Sequence, residues 1–180
     1  TRCLIDATAR KFVWIEGSFE ASASPGIALV KVSGGSFLRL QNINAIGAST
    51  STYGIYLFGT KNSVFRGIQT QSGTYGIHSE FNSTGNLFWD ISTTGSMTGF
   101  QLDAWDSDNV VVDLKSQSNT AYGLNARSAP SLRLMNSFFT NNAISGVTLD
   151  LSGSVNHFLL SNLTSGGQIG VFFSGAIASL

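Results

Sequence analysis

The sequence predicts an all-β solenoid of parallel strands, and two columns of repeated residues carry this prediction. A glycine followed by an apolar residue recurs with a period of ~22–28 residues, which is typical of solenoids, in which each unit buries its apolar face by stacking on its neighbours. A residue that tolerates left-handed backbone stands a little past the middle of most of these intervals. The glycine column consists of Gly26, Gly54, Gly76, Gly99, Gly123, Gly146 and Gly170.

The residues after each glycine predict the first strand of every unit. In the second unit, for example, Ile55 and Leu57 alternate with Tyr56 and Phe58. A period of two is the pattern of a strand, with one set of side chains facing the core and the other facing outward.

A tight corner follows in each unit. Glycine, asparagine and aspartate accept positive φ most easily, so a column of them marks a bend that recurs once per turn. The positions two before and one after the corner are mostly apolar, which predicts a strand on each side of it. Stacked asparagines in this column could also bond from one turn to the next. The predicted corner residues are Asn42, Gly67, Asp90, Asp113, Asn136 and Asn162.

Together the two columns resemble the right-handed parallel β-helix of the pectate-lyase-like superfamily, over about residues 10 to 175. We therefore expect a single-stranded β-helix domain over residues 1–180, with a partial coil in 1–25 and about seven coils in all, the regular ones in 26–175. Leucine-rich repeats are the alternative solenoid, but their regular leucine and asparagine framework is missing. Neither end carries a polar cap, which predicts a segment of a longer chain or of an oligomer.

Composition excludes several classes of function. The chain has ten basic and ten acidic side chains, only 11% of its residues being charged, so nothing attracts nucleic acid or an anionic membrane. No apolar stretch approaches the roughly 20 residues that span a bilayer, so we expect no membrane insertion. The single cysteine, Cys3, excludes an intramolecular disulfide, and stability must come from packing and hydrogen bonding.

Two outward columns on the first strand supply the candidate site. Residues at equal distance from the glycine stack about 4.8 Å apart once the register is set. One column contains Ala28, Tyr56, His78, Gln101, Asn125, Thr148 and Phe172, and the other contains Val30, Phe58, Glu80, Asp103, Arg127, Asp150 and Ser174. The middle of this face is polar and charged.

Glu80, Asp103 and Asp150 are the predicted catalytic carboxylates. Their rungs place Glu80 roughly 5 Å from Asp103, and Asp150 roughly 10 Å from Asp103, which brackets the spacings of retaining and inverting glycosidases. Crowding of like charges would raise the pKa of one carboxyl toward a general-acid role. The predicted substrate-binding residues are Tyr56, His78, Gln101, Trp105 and Arg127. The alternative is a surface charge ladder of Asp103, Arg127 and Asp150, worth about 0–1 kcal/mol per pair.

The loop after Asp103 is a candidate calcium site. It adds Asp106 and Asp108 to the same rung, and calcium takes six to eight oxygen ligands. The spacing matches no known calcium loop, so a solvated turn is the alternative, and we expect no other metal or cofactor.

The second strand turns apolar side chains outward in two rows. The rows are Val64, Leu87 and Val110, and Trp89, Val112 and Met135. An exposed apolar patch of this extent usually marks an interface, and three parallel copies would bury it, so we expect a homotrimer. A covering strap from another part of the chain is the alternative.

The resemblance implies a function in polysaccharide handling, since the superfamily consists mostly of lyases, hydrolases, epimerases and bacteriophage tailspikes. Low charge, abundant small polar residues and an outward apolar face are most like the tailspikes, which implies an extracellular or virion-surface location. The catalytic signatures of polygalacturonases and alginate epimerases are absent, so no catalytic residue carries over. We expect a segment that recognises host capsule or lipopolysaccharide, with depolymerase activity by hydrolysis or elimination left open. The alternative is a non-catalytic shaft or adhesin segment.

Overall fold

A computed structural model describes residues 5–20, 28–46, 53–103, 105–150 and 159–174, and the regular structure in these ranges is all β-strand. Cys3 and Gly26 lie outside them. None of the described residues belongs to a helix long and apolar enough to cross a membrane. The strands are β1 (Ile5–Thr8), β2 (Trp14–Glu20), β3 (Ala28–Ser33), β4 (Arg39–Ile46), β5 (Tyr53–Phe58), β6 (Val64–Gln71), β7 (Tyr75–Glu80), β8 (Leu87–Thr94), β9 (Thr98–Leu102), β10 (Val110–Gln117), β11 (Tyr122–Arg127), β12 (Arg133–Met135), β13 (Phe138–Asp150), β14 (Leu159–Ser161) and β15 (Thr164–Ser174).

The strands pair in parallel and wind into a solenoid of about six turns. The odd-numbered strands from β1 to β11 pair in order along one face, which the C-terminal part of β13 and then β15 continue. The even-numbered strands from β2 to β10 pair along the rest of the circumference. The predicted all-β parallel β-helix is confirmed, with about six turns instead of seven. The partial coil predicted in residues 1–25 is paired too, β1 with β3 and β2 with β4.

The predicted corner is confirmed at all six positions. Asn42, Gly67, Asp90, Asp113, Asn136 and Asn162 have φ values between 50° and 60°. The apolar residues beside the corner point into the core, where Phe65 and Phe88 stack with ring centroids 4.8 Å apart. The side-chain amide of Asn162 donates to Oδ1 of Asn136 at 3.0 Å, so corner residues also bond from one turn to the next.

The repeated glycines lie inside the first strands, where close packing leaves no room for a side chain. A Cβ atom on Gly99 would lie 2.7 Å from the carbonyl oxygen of Gly123, and one on Gly76 would lie 2.6 Å from that of Gly99. The side chains of Thr93 and Ser116 approach the same space from the opposite wall. The glycine column therefore lets the two walls of the solenoid meet.

The first coil departs from the predicted register. Lys31, not Ala28, pairs with Tyr56, and Ser33, not Val30, pairs with Phe58. Ala28 and Val30 are fully buried, so they belong to the core and not to the outward columns. The physical reason is that this coil is shorter than the stretch of sequence between Gly26 and Gly54, so positions counted from these two glycines do not lie opposite each other.

Buried amides also tie the turns together, a feature that the repeat pattern does not reveal. The side-chain oxygen of Asn86 accepts the backbone N–H of Ser63, and that of Asn109 accepts the N–H of Asn86, both at 3.0 Å. The Asn86 amide group donates in turn to the carbonyl of Thr60 at 2.9 Å. Each amide replaces water at backbone groups of the preceding turn, which offsets the cost of its burial.

Candidate functional site

The polar outward column forms from the second turn onward. Tyr56, His78, Gln101, Asn125, Thr148 and Phe172 stand side by side on β5, β7, β9, β11, β13 and β15. His78, Gln101 and Asn125 are almost completely buried although they point away from the core. Neighbouring side chains on the same face cover them, so this part of the surface is a packed cluster and not an open ladder.

The centre of the cluster is an imidazole between two carboxylates. Nε2 of His78 lies 2.7 Å from Oδ2 of Asp103 and 3.4 Å from Oε2 of Glu80. Glu80 also accepts a hydrogen bond from the hydroxyl of Tyr56. Oxygens of both carboxylates and Nε2 all lie within 4.8 Å of one another. The structure therefore brings together four of the residues in the two predicted columns, namely Tyr56, His78, Glu80 and Asp103.

Amide side chains extend this network to the next turn. Gln101 donates to Oδ1 of Asp103 at 2.6 Å, and Asn125 donates to Oε1 of Gln101 at 3.0 Å. A continuous chain of contacts therefore runs across β5, β7, β9 and β11. It fixes the orientation of the Asp103 carboxylate from two sides.

Three tyrosines surround the imidazole. The ring centroids of Tyr53, Tyr56 and Tyr75 lie 5.1, 5.6 and 4.7 Å from that of His78. They leave Nδ1 of His78 buried and without a hydrogen-bond partner in the described part of the chain. The two predicted outward columns do not contain Tyr53 and Tyr75. Both residues directly precede a glycine in consecutive repeats, and this repeated Tyr-Gly pair is the sequence signal that could have identified them.

We name these eight residues the tyrosine–carboxylate cluster. Its members are Tyr53, Tyr56, Tyr75, His78, Glu80, Gln101, Asp103 and Asn125.

The cluster sets the protonation of two of its members. Burial acts to raise the pKa of Asp103, but hydrogen bonds from His78 and Gln101, with the charges of His78 and Arg127, outweigh it and hold that pKa below its ordinary value. Burial, with the hydrogen bond to Glu80, raises the pKa of Tyr56. At neutral pH Asp103 is therefore a carboxylate and Tyr56 a neutral phenol. The lowered pKa suits Asp103 to act as a base, nucleophile or ligand, and not as the general acid.

The remaining predicted site residues lie around the cluster. Arg127 on β11 is exposed and pairs with Asp150 on β13, which places Asp150 two strands from the rung of Asp103. Trp105 is exposed in the loop that follows Asp103. The three predicted catalytic carboxylates therefore separate into an adjacent pair, Glu80 and Asp103, and a more distant Asp150.

Asp106 and Asp108, the other residues of the predicted calcium site, differ in their surroundings. Asp106 is buried, its Oδ1 accepts the N–H of Ser83 at 2.8 Å, and burial raises its pKa to about 7. Asp108 is exposed. Neither residue joins the group of potential metal ligands found among the described residues, which consists of His78, Glu80 and Asp103. Calcium at Asp103, Asp106 and Asp108 stays a prediction.

Comparison with known proteins identifies the family. The model of the family described as periplasmic copper-binding protein (NosD) matches residues 30–178. The chain belongs to the NosD family. Among solved structures it is similar to the Siphovirus 9NA tailspike receptor binding domain, with 13% identity and a TM-score of 0.41, over 97% of this chain and 47% of the tailspike chain. The chain thus spans about half the length of that tailspike structure. No curated protein matches it.

This NosD-family chain also has a groove of about 410 Å³ at the corner around Gly67. Asn42, Gln69, Asp90 and Lys115, which line it, are exposed, and it contains none of the predicted site residues. Polar side chains converge and bond to one another in the tyrosine–carboxylate cluster instead, so we place the candidate site there.

The predicted apolar rows of this NosD-family chain align as expected. Val64, Leu87 and Val110 pair across β6, β8 and β10, and Trp89, Val112 and Met135 pair across β8, β10 and β12. Within one chain Trp89 is 39% exposed and the other five are half-buried. The Arg66 guanidinium lies 4.3 Å from the centroid of the Trp89 ring, and the Trp89 indole donates to Asp113 at 2.9 Å.

Proposed function

We propose that this NosD-family β-helix binds polysaccharide outside the cytoplasm, through the tyrosine–carboxylate cluster. The observation that carries the proposal is a group of aromatic rings beside carboxylates on one outward face. Sugar rings pack their C–H faces against aromatic rings, while carboxylates and amides bond their hydroxyl groups. The tyrosines are half-buried, and the side chains of Glu80 and Asp103 are 29% and 28% exposed, so both kinds of contact are open to a ligand.

The location rests on the family. Its members are described as periplasmic. That description places the relatives outside the cytoplasm, and we propose the same for this chain.

Glycan binding is tested on an array of purified bacterial capsule and lipopolysaccharide glycans. We expect the wild-type protein to retain at least one glycan, and Asp103→Asn to lose it because the charged acceptor at the centre of the network is gone. The matched control is Asp150→Asn, which removes the same charge two strands away and should bind like wild type. Equal binding by all three proteins, or no binding by folded wild type, would refute the proposal. The second result would favour a non-catalytic shaft or adhesin segment.

Cleavage is a further part of the proposal. Retaining glycosidases hold their two carboxyl groups about 5 Å apart, and oxygens of Glu80 and Asp103 lie within 4.8 Å. The lowered pKa favours Asp103 as the nucleophile, which leaves Glu80 as the acid. In that role Glu80, which accepts the Tyr56 hydroxyl in the free protein, would donate a proton to the leaving oxygen while Asp103 bonds to the sugar carbon, and water would then release the sugar from Asp103.

Product analysis by mass spectrometry tests this assignment. Chain shortening with a gain of water would establish hydrolysis, and an unsaturated product would establish elimination. We expect Glu80→Gln to abolish shortening while binding remains. Shortening at the wild-type rate by Glu80→Gln would exclude the role of this residue.

A divalent metal is the second candidate ligand, because His78, Glu80 and Asp103 offer one nitrogen and two oxygen donors within 4.8 Å. The family description names copper, and Cu(II) binds nitrogen and oxygen ligands more tightly than other first-row divalent ions do. The residues present fit such an ion: Asp103 is already a carboxylate, and Nε2 of His78 lies 2.7 Å from Oδ2 of Asp103 and 3.4 Å from Oε2 of Glu80, so the three donor groups face one space. A bound ion would place a positive charge at the centre of the cluster.

The apolar rows support a further part of the proposal, a homotrimer. They form an aligned surface over four turns, and Trp89 within it is 39% exposed in one chain. Burial of this surface between copies would remove it from water.

A further inference from the structure

Two exposed aromatic residues occupy backbone corners directly beside the cluster. Phe81 follows Glu80, has a φ of 59° and is 58% exposed. Trp105 lies two residues after Asp103, has a φ of 72° and is 64% exposed. Left-handed backbone is unfavourable for a bulky side chain, and an exposed ring recovers little of that cost by burial. Folding alone therefore gives little reason for aromatic residues at these positions.

Other turns fill the corner of Phe81 with small residues. Ala9, Gly34, Gly59 and Ser128 all have positive φ, and each donates its backbone N–H to the last residue before the corner in the next turn. Among the described residues at this corner, a large aromatic residue stands only after Glu80. Trp105 lies one position further along its turn, where its N–H donates to the carbonyl of Ser128. Strain that is retained at Phe81, directly beside a carboxylate of the cluster, points to a functional role.

Phe81 also continues the aromatic surface of the cluster. Its ring stacks on that of Phe58 with centroids 4.7 Å apart and planes within 8°. The Phe58 ring lies 6.4 Å from that of Tyr56, which belongs to the cluster. An unbroken line of rings therefore leads from the imidazole to the edge of the face.

We propose that Phe81 and Trp105 are sugar-stacking residues that extend the glycan site beyond the carboxylates to the corner of the solenoid. This inference rests on the proposed glycan function. It specifies the ligand as a stretch of polysaccharide several sugar units long, because a single unit would not reach from the tyrosines to the corner rings. The stacking of Phe81 on Phe58 restricts the Phe81 ring, which reduces the entropy lost when a sugar stacks on it.

The test replaces each ring with glycine, the residue that the corner of Phe81 already contains at Gly34 and Gly59. Because glycine removes the strain at positive φ, we expect Phe81→Gly and Trp105→Gly to fold and Trp105→Gly to unfold at the wild-type temperature or above it. Each should bind the best-retained array glycan roughly tenfold more weakly than wild type, since one aromatic contact is lost.

Phe37→Gly is the matched control. Phe37 is also at positive φ, is 52% exposed and stacks on Phe12 at 5.5 Å, but at another corner, between Ser36 and Leu38. We expect it to bind like wild type. If wild type binds glycan and both corner variants keep its affinity, this inference is overturned while the proposed function stands. If wild type binds no glycan, the proposed function fails and this inference fails with it.

Tryptophan fluorescence gives an independent measurement on the same proteins. Glycan stacked on Trp105 should shift the emission of wild type, and the shift should remain in Phe37→Gly and be absent from Trp105→Gly. An equal shift in Trp105→Gly would overturn the role of this residue, because Trp14 or Trp89 would then be its source.

Discussion

Asp106→Asn should stabilise the solenoid at neutral and higher pH. Asp106 is 1% exposed, and its Oδ2 has no hydrogen-bond partner in the described part of the chain. Burial raises its pKa to about 7, Ser79 and the N–H of Ser83 act in the opposite direction, and Asp103 and Glu80 add to the rise. The folded protein therefore favours the neutral carboxyl group.

The sign and size of the effect follow from these pKa values. The unfolded chain releases the proton near pH 3.8 and the folded chain near pH 7, so between these values the folded state binds more protons. The free energy of unfolding therefore falls as pH rises from about 4 to about 7 and is level above that. The difference between 3.8 and about 7 corresponds to about 4 kcal/mol. Asparagine keeps an acceptor for the Ser83 N–H and carries no charge, so Asp106→Asn should recover most of this energy at pH 8 and little at pH 4.

The assay is urea unfolding of wild type and variant at pH 4, 6 and 8, followed by circular dichroism. The difference between the two proteins isolates Asp106 from the other titrating groups. Asp108→Asn, at an exposed carboxyl in the same loop, is the control and should follow wild type at each pH. A difference between wild type and Asp106→Asn that does not change from pH 4 to pH 8 would refute the reasoning.

Three further predictions test packing, assembly and metal binding. Gly99→Ala should lower the free energy of unfolding by about 1–3 kcal/mol, because its Cβ would lie 2.7 Å from the carbonyl oxygen of Gly123; an unchanged urea midpoint would contradict this. Wild type should sediment as a trimer in analytical ultracentrifugation and Trp89→Glu as a monomer, whereas a monomeric wild type would exclude the apolar rows as a trimer interface. His78→Gln should abolish Cu(II) binding in calorimetry, and equal affinity in both proteins would remove this residue from the metal site.

The fold could be predicted because each turn makes the same demand on the backbone. Only a few residue types accept positive φ, and only glycine fits where Gly76 and Gly99 meet the next turn, so both demands leave columns in the sequence. The predicted register failed in the first coil because this coil is shorter than the stretch of sequence between Gly26 and Gly54, so equal offsets from these two glycines do not pair. Buried amides such as Asn86 were missed, since asparagine is ordinarily a surface residue.

The site could be predicted only in outline. Counting residues from the repeated glycines correctly placed His78 on the strand of Glu80 and next to the turn of Asp103. This counting works because paired parallel strands place equivalent residues directly opposite each other. Offsets do not show which way a side chain turns, so the imidazole between two carboxylates could not be foreseen. The strain at Phe81 and Trp105 was equally hidden, because neither residue type suggests left-handed backbone.

The location of the glycan site is tested most directly by comparing the affinities of wild type, Asp103→Asn and Gly67→Asn for the best-retained array glycan. Gly67→Asn fills the corner groove with a residue that the same corner contains at Asn42 and Asn136, so the backbone is preserved. We predict at least tenfold weaker binding by Asp103→Asn and wild-type binding by Gly67→Asn. Weaker binding by Gly67→Asn together with wild-type affinity in Asp103→Asn would contradict the account and move the site to the groove.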